Sequence, residues 1–156
     1  QDADFKDIDL LFGPAYKGIP LTTCTATALY NSHKRNIACA FNRKEKKDHG
    51  EGGQLIGATI RGNIVIIDDV ITAGTAVREV IALLKGTSAK LTGLVIGLNR
   101  QEKGVNGKSA ISELEREFGI QVKSIISASH LLTYLEQRGE DKKHSAMAKY
   151  LETYGV

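Results

Sequence analysis

The chain has 156 residues, of which 42% are hydrophobic and 25% are charged. This size and composition are typical of a globular protein with a sizeable core, so we expect a single domain over residues 1–156. No apolar run approaches the roughly 20 residues that span a bilayer. The net charge of +3 is too small to indicate a nucleic-acid surface. Neither a membrane nor a nucleic acid is therefore an expected partner.

The two cysteines, Cys24 and Cys39, both lie in apolar stretches of the sequence. We interpret them as reduced core residues rather than as a disulfide pair. Because reduced cysteines are typical of intracellular proteins, a cytoplasmic location is expected.

Apolar runs typical of buried strands recur along the chain and alternate with helix-like stretches. The predicted strands are Ile8–Phe12, Ile37–Phe41, Ile64–Ile67, Leu91–Leu98 and Val122–Ser127. This alternation predicts an α/β fold with a mostly parallel central sheet flanked by helices. Ligand sites in such folds lie on loops beyond the carboxyl ends of the strands.

Helices are predicted where apolar residues recur at i, i+3, i+4 and i+7. Three apolar faces are clear: Val77, Val80, Ile81 and Leu84; Ile111, Leu114 and Phe118; and Met147, Tyr150, Leu151 and Tyr154. Gly86 and Gly119 are placed to end the first two helices. Two polar, glycine-bearing stretches that follow strands, Asn42–Gly53 and Asn99–Lys108, are predicted to be loops that contact a ligand.

A strand, two aspartates, a loop of small residues and a helix follow one another near the middle of the chain. Ile64–Ile67 ends in Asp68 and Asp69, and the loop and helix start are Val70, Ile71, Thr72, Ala73, Gly74, Thr75 and Ala76. Free N–H groups, the helix dipole and two hydroxyls suit a phosphate monoester. The carboxylates suit ribose hydroxyls and stabilise positive charge on a nearby carbon. The alternative is structural: threonines that cap the helix and aspartates that end the strand.

A cationic segment follows the second predicted strand. Within Asn42–Gly53 it contains three glycines and the basic residues Arg43, Lys44, Lys46, Lys47 and His49. Charge runs are usually solvated surfaces, but a glycine-rich cationic segment can also close over an anionic leaving group and exclude water. No metal-ligand partner stands at a suitable spacing from His49, so no structural metal bound by the protein is expected.

Two further segments leave predicted strands at the same end of the sheet. Gly13–Gly18 has the glycine spacing of a P-loop, but Ile19-Pro20 stands where that motif needs Lys-Ser/Thr. With exposed N–H groups and Lys17, this segment is either an anion site or a simple turn. Arg100 is either a surface arginine or, through its planar guanidinium, a ligand for a carboxylated planar base.

Ile64–Ala76 resembles the phosphoribosyl-pyrophosphate motif of type I phosphoribosyltransferases. Asn42–Gly53 resembles the catalytic loop of orotate phosphoribosyltransferases, and the resemblance extends from about Asp9 to Val156. It implies transfer of the phosphoribosyl group of 5-phosphoribosyl 1-pyrophosphate (PRPP) to orotate. The products would be orotidine 5'-monophosphate and pyrophosphate, in the synthesis of pyrimidines and UMP.

The resemblance also implies roles for the matching residues. Those that would bind the pyrophosphate part of PRPP are Tyr16, Lys17, Arg43, Lys44, Lys47 and His49, with Lys47 the most important for catalysis. Asp68, Asp69 and residues 70–76 would bind the ribose 5-phosphate, and Thr72 and Arg100 would bind orotate. The family further implies substrate-bound Mg²⁺ and a homodimer in which loop 42–53 acts on the neighbouring subunit.

Two departures from the family and two rival functions are relevant. Asn99 stands where an aspartate usually precedes the orotate-binding arginine, and we expect the chain to lack the family's N-terminal segment, which adds substrate contacts. One rival is a PRPP-sensing regulator that binds nucleic acid, against which the small net charge argues. The other is a purine phosphoribosyltransferase, against which the sequence of Asn42–Gly53 argues.

Overall fold

A computed structural model describes residues 7–47, 53–72, 74–104 and 107–156, and only the backbone of residues 46, 47 and 53. Within these ranges, six strands form one sheet in the order β3-β2-β1-β4-β5-β6. The strands are β1 (Leu10–Gly13), β2 (Ala38–Lys47), β3 (Gly53–Gly57), β4 (Gly62–Val70), β5 (Ala89–Asn99) and β6 (Gln121–Ser127). Every neighbouring pair is parallel except β2 with β3, which confirms the predicted sheet.

The described residues also form five helices that connect and flank the strands. They are α1 (Gly18–His33), α2 (Thr75–Leu84), α3 (Ala110–Phe118), α4 (Ala128–Gln137) and α5 (Asp141–Tyr154). Helices α2 and α3 confirm the first two predicted apolar faces. Helix α5 confirms the third helix, but Tyr150 and Tyr154 on its predicted apolar face are exposed. Helix α4 has no counterpart among the named predictions, because its capping box pairs Ser127 with His130 instead of the usual glutamate or glutamine. None of these helices combines the length and apolar character that crossing a membrane requires.

The prediction of a loop over Asn42–Gly53 is partly wrong. Strand β2 continues to Lys47 and pairs antiparallel with β3, so residues 42–47 are strand, with a register shift between Asn42 and Lys47. Lys44 and Glu45 on this extension are exposed. A strand that extends into solvent shows no apolar alternation, which is why the composition of this segment did not indicate it.

The core lies on both faces of the sheet. The larger cluster packs the strands against α2 and α3 and includes Phe12, Ile66 and Val80. The smaller one lies under α1 and includes Leu11 and Val65. Successive residues along β1, and likewise along β4, thus point to opposite faces of the sheet, as strand geometry requires. Because both strands are central and buried, their carboxyl ends form a rigid base for any site built there.

The cysteine prediction is wrong in one respect. Cys24 is exposed on α1, whereas Cys39 on β2 is partly buried, and both thiols are free. The apolar neighbours of Cys24 in the sequence are spread around a helix, so they did not indicate which way its side chain points. Burial raises the pKa of the Cys39 thiol.

Candidate active site

Asp68 and Asp69 lie where the chain leaves the core. Strand β4 pairs with β1 on one side and β5 on the other, and Ile64, Val65 and Ile66 within it are fully buried. The Asp68 carboxylate accepts a hydrogen bond from the Asp69 N–H at 2.9 Å. Burial raises the pKa of Asp68 above its ordinary value. A partly desolvated carboxylate therefore stands at the start of the loop.

The neighbouring carboxyl group of Asp69 is shifted in the opposite direction. Burial alone would raise its pKa, but the hydrogen bond from Lys17 and the one from the Val70 N–H outweigh burial and lower it. The Lys17 Nζ lies 2.6 Å from Asp69 Oδ2, and this bond raises the pKa of the lysine. The Lys17 side chain is 77% exposed, so the ion pair adds little to stability. Asp69 is the more firmly ionised of the two aspartates.

The turn that carries Lys17 is packed closely between the end of β1 and the backbone of β4. A methyl group on Gly13 would lie 2.4 Å from the Gly18 carbonyl oxygen. One on Gly18 would lie 2.8 Å from the carbonyl oxygen of Ile67, within β4. Both contacts are with backbone atoms, which cannot move away cheaply. Glycine is therefore required at both ends of this turn.

A buried side chain from β2 supports the same turn. The Asn42 Oδ1 accepts a hydrogen bond from the Ala15 N–H at 2.8 Å, and Asn42 is only 6% exposed. Tyr16, next in the chain, is 70% exposed. The sequence analysis did not single out Asn42, because nothing local links it to a residue 27 positions earlier.

The loop after Asp69 leads into α2 without a side-chain cap. The N-cap residue is Gly74, in the left-handed region at φ 73°, and no side chain caps the helix. The structure therefore does not support the alternative in which Thr72 and Thr75 cap α2. The first turn also contains no acidic residue. The free N–H groups and the positive end of the dipole remain available for an anion.

One cavity of about 250 Å³ brings most of these residues together. Its lining comprises Lys44, Asp68, Val70, Ile71, Thr72, Gly74, Thr75, Ala76, Val77 and Glu79. A second cavity, of about 380 Å³, shares Lys44 and Glu79 with the first and adds Arg43. Of the other predicted residues, Ala73 and His49 lie outside the described residues, and only the backbone of Lys47 is described.

A further cavity of about 250 Å³ lies on the α1 face and is lined mainly by apolar side chains such as Leu11, Leu29 and Val65. It reaches the acidic pair only at Asp68, the one charged residue in its described lining. A pyrophosphate would be poorly solvated there and would have no cation to bind. The cavity at the start of α2 is the better candidate, because its described lining includes a cation, Lys44, which lies 3.5 Å from Glu79 Oε2.

Arg100 follows β5 at the same edge of the sheet. The last Cα pair between β4 and β5 joins Val70 to Leu98, so Thr72 and Arg100 each lie two residues beyond it on neighbouring chain segments. The Arg100 guanidinium donates a hydrogen bond to the Tyr150 hydroxyl at 3.0 Å. The predicted base-binding arginine therefore leaves the sheet at the same edge as residues 70–76.

Asn99, which stands where the family usually has an aspartate, leaves the local geometry of this segment intact. The Asn99 Oδ1 accepts a hydrogen bond from the Gln101 N–H at 2.9 Å. An aspartate would make the same bond with a carboxylate oxygen, since only an acceptor is needed.

Comparisons with known proteins identify the class of this fold and site. The sequence profile described as phosphoribosyl transferase domain matches residues 1–129. This stretch contains all of the predicted site residues, from Tyr16 to Arg100. The strand, the two aspartates and the uncapped helix start therefore belong to a phosphoribosyltransferase domain.

Individual relatives narrow the class. Orotate phosphoribosyltransferase of Saccharophagus degradans is 55% identical over 150 residues, which are 96% of this chain and 70% of the relative. That of Pseudomonas aeruginosa is 54% identical over 151 residues, 96% of this chain and 71% of the relative. The crystal structure of orotate phosphoribosyltransferase from Francisella tularensis has a TM-score of 0.82 at 34% identity and covers 98% of this chain and 73% of its own. The chain belongs to the orotate phosphoribosyltransferase family.

Proposed function

We infer that the chain transfers the phosphoribosyl group of PRPP to orotate and so forms orotidine 5'-monophosphate and pyrophosphate, a step of pyrimidine synthesis. The observation that carries this conclusion is 55% identity over 96% of the chain with an orotate phosphoribosyltransferase. Substitution at the anomeric carbon of PRPP passes through an oxocarbenium-like state. No covalent nucleophile is needed, and catalysis depends on positioning and on charge.

We propose that the start of α2 binds the 5'-phosphate of PRPP through residues 70–76. Support comes from the uncapped N–H groups and from the exposed Thr72 and Thr75 beside them. Asp68 and Asp69 would accept hydrogen bonds from the ribose hydroxyls and stabilise the positive charge that develops on the sugar. The lowered pKa of Asp69 favours this role, because that carboxylate stays ionised.

For the pyrophosphate, we propose the cationic contacts implied by the family resemblance. Lys17 with Tyr16 would bind it from the turn after β1, and Arg43 and Lys44 from β2. Lys44 lines the same cavity as Asp68, which supports this assignment. Lys47 and His49 complete the proposed set on the resemblance alone, and Lys47 would neutralise the leaving group in the transition state.

A magnesium ion fits this site as a substrate-bound ion. The described residues contain no group of three or more His, Cys, Asp or Glu side chains that could bind a metal together. Mg²⁺ commonly uses one or two carboxylates together with substrate phosphates and water, and Asp68 and Asp69 offer two carboxylates. We therefore propose that Mg²⁺ enters with PRPP and neutralises its pyrophosphate.

For orotate, we propose that Arg100 binds the carboxylate and that Thr72 assists. Each of these residues lies two positions beyond the last β4–β5 Cα pair, which supports this arrangement. The homodimer, the action of loop 42–53 on the neighbouring subunit and the cytoplasmic location are further proposals that rest on the sequence.

The test is an assay of pyrophosphate release with Mg²⁺ and PRPP, on the protein in the form in which its cell makes it. Orotate is compared with adenine, hypoxanthine and uracil, and reactions without PRPP serve as blanks. We expect release with orotate alone. Release with a purine instead would establish the purine rival. Binding of nucleic acid that depends on PRPP, with no release for any base, would establish the regulator.

A further inference from the structure

The segment after Arg100 is bonded to the C-terminal end of the chain. The Lys103 N–H donates to the Tyr154 carbonyl oxygen at 2.8 Å, and the Val156 N–H donates to the Gln101 carbonyl oxygen at 2.9 Å. These bonds join the segment to the end of α5, about fifty residues later in the chain. The backbone next to Arg100 is therefore positioned by tertiary contacts.

Gln101 ties the same segment to the start of α4. Its Oε1 accepts hydrogen bonds from the Ser129 N–H at 2.7 Å and from the Ser129 hydroxyl at 2.6 Å. The backbone of Gln101 is in the left-handed region at φ 53°, so the chain turns sharply directly after Arg100. Helices α4 and α5 both contribute to the geometry of this turn.

The Arg100 side chain is held by two polar groups. Its Nη2 donates to the Tyr150 hydroxyl at 3.0 Å and lies 2.5 Å from Glu102 Oε1. The Tyr150 hydroxyl in turn donates to Glu102, so it serves as acceptor and donor at once. Both contacts of Arg100 use Nη2, and a guanidinium has five N–H donors, so a carboxylate can still bind at another edge.

We propose that Tyr150 and Glu102 are positioning residues that hold Arg100 in the orientation that binds orotate, which makes α4 and α5 a specificity element for the base. The proposal rests on the role of Arg100 inferred above. The extent of sequence similarity along the chain supports this proposal. Residues 130–156 lie beyond the match to the general phosphoribosyl transferase domain. The alignment with an orotate phosphoribosyltransferase covers 150 of the 156 residues, so it includes most of residues 130–156.

The test removes the hydroxyl of Tyr150 and leaves its ring, which packs on Tyr154 at a centroid distance of 4.9 Å. In Tyr150→Phe we expect the KM for orotate to rise about tenfold, since a hydrogen bond to a charged group is lost. The KM for PRPP and the midpoint of thermal unfolding should stay at their wild-type values. Glu102→Gln should raise the KM for orotate in the same way. Tyr154→Phe, the same change four residues further along, is the matched control and should leave both KM values unchanged.

An Arg100→Ala background separates positioning from a merely structural effect. Tyr150→Phe should add nothing there, because the residue that it positions is gone. Where turnover is too slow for a KM, the Kd of orotidine 5'-monophosphate is measured by calorimetry. The inference is overturned if Tyr150→Phe behaves like Tyr154→Phe, or if its effect persists undiminished without Arg100. An Arg100→Ala variant with unchanged affinity for orotate would instead overturn the proposed role of Arg100 itself, and the inference with it.

Discussion

The proposed phosphate side and the proposed base side of the site are built in different ways. On the phosphate side, Asp68, Asp69 and residues 70–76 come from one continuous stretch that runs from a buried strand into α2. On the base side, the Arg100 guanidinium donates a hydrogen bond to Tyr150, fifty residues later in the chain. A continuous motif is visible in a sequence, whereas an orientation imposed by a distant helix is not.

The two sides also differ in burial. In β4, the strand that leads to the aspartates, the side chains of Ile64, Val65 and Ile66 are completely buried. Arg100 and Tyr150 are 38% and 39% exposed, so solvent weakens the contacts that hold the arginine. We therefore expect substitutions at the surface to leave the structure of the phosphate side intact. On the base side, we expect the loss of a single hydroxyl or carboxylate group to change how Arg100 is held.

The largest effect is expected on the phosphate side, at Lys47. Lys47→Ala should lower kcat by about 100-fold or more, since a cation that neutralises the leaving pyrophosphate acts in the transition state. The midpoint of thermal unfolding should not change. Steady-state kinetics with saturating PRPP and orotate make the comparison. Lys46→Ala removes the same charge one residue earlier, and an equal loss in that variant would contradict a specific role for Lys47.

The next prediction tests whether the phosphate side also has a long-range support. Asn42→Ala removes the buried acceptor of the Ala15 N–H. It should lower the free energy of unfolding by about 1–3 kcal/mol and raise the KM for PRPP but not that for orotate. Urea unfolding and substrate titrations measure the two effects. Asn31→Ala on the exposed surface of α1 is the control, expected within about 0.5 kcal/mol of wild type. Equal stability in both variants would show that the Asn42 bond contributes nothing.

The two aspartates should respond to pH with opposite signs. The raised pKa of Asp68 makes its contribution to stability present below its unfolded pKa of about 3.9 and lost as pH rises through its folded value. Asp68→Asn, which keeps an acceptor for the Asp69 N–H, should therefore unfold at higher urea than wild type at pH 7, with a smaller difference near pH 4. Its turnover should fall.

Asp69→Asn is the matched change with the opposite expectation. Its lowered pKa contributes stability above the unfolded pKa, and this contribution is lost as pH falls through the folded value. The variant should be less stable than wild type at pH 7, and the difference should shrink in acid. If both variants shifted in the same direction in urea unfolding, the two carboxyls would not have the opposed environments described above.

The smallest structural effect is expected at Lys17. Its ion pair with Asp69 is exposed, so Lys17→Met should leave the free energy of unfolding almost unchanged. The KM for PRPP should nevertheless rise several-fold, because a cation beside the pyrophosphate is lost. Lys34→Met, at the far end of α1, gives the background effect of removing one surface lysine. A large loss of stability in Lys17→Met would mean that the lysine serves the fold more than the substrate.

By itself, the sequence determined the α/β class, the mostly parallel sheet and the strand–aspartate–helix unit at Ile64–Ala76. Buried strands, apolar helix faces and helix ends are local patterns, and they were confirmed by β4, α2 and α3. Its planar guanidinium left Arg100 open as either a surface residue or a ligand for a carboxylated planar base, and the family resemblance favoured the ligand. A carboxylate pair followed by small residues is recognisable because all of its parts are contiguous.

Only the tertiary structure decided the rest. The β2–β3 pairing lies in a charged segment with no apolar alternation, and α4 begins with an unusual capping residue. Asn42 and Tyr150 act on residues 27 and 50 positions away. Hydrogen bonds across such distances depend on how strands and helices pack, and a single sequence encodes no local sign of them. The phosphate side was therefore visible in the sequence, and the orientation of the base side was not.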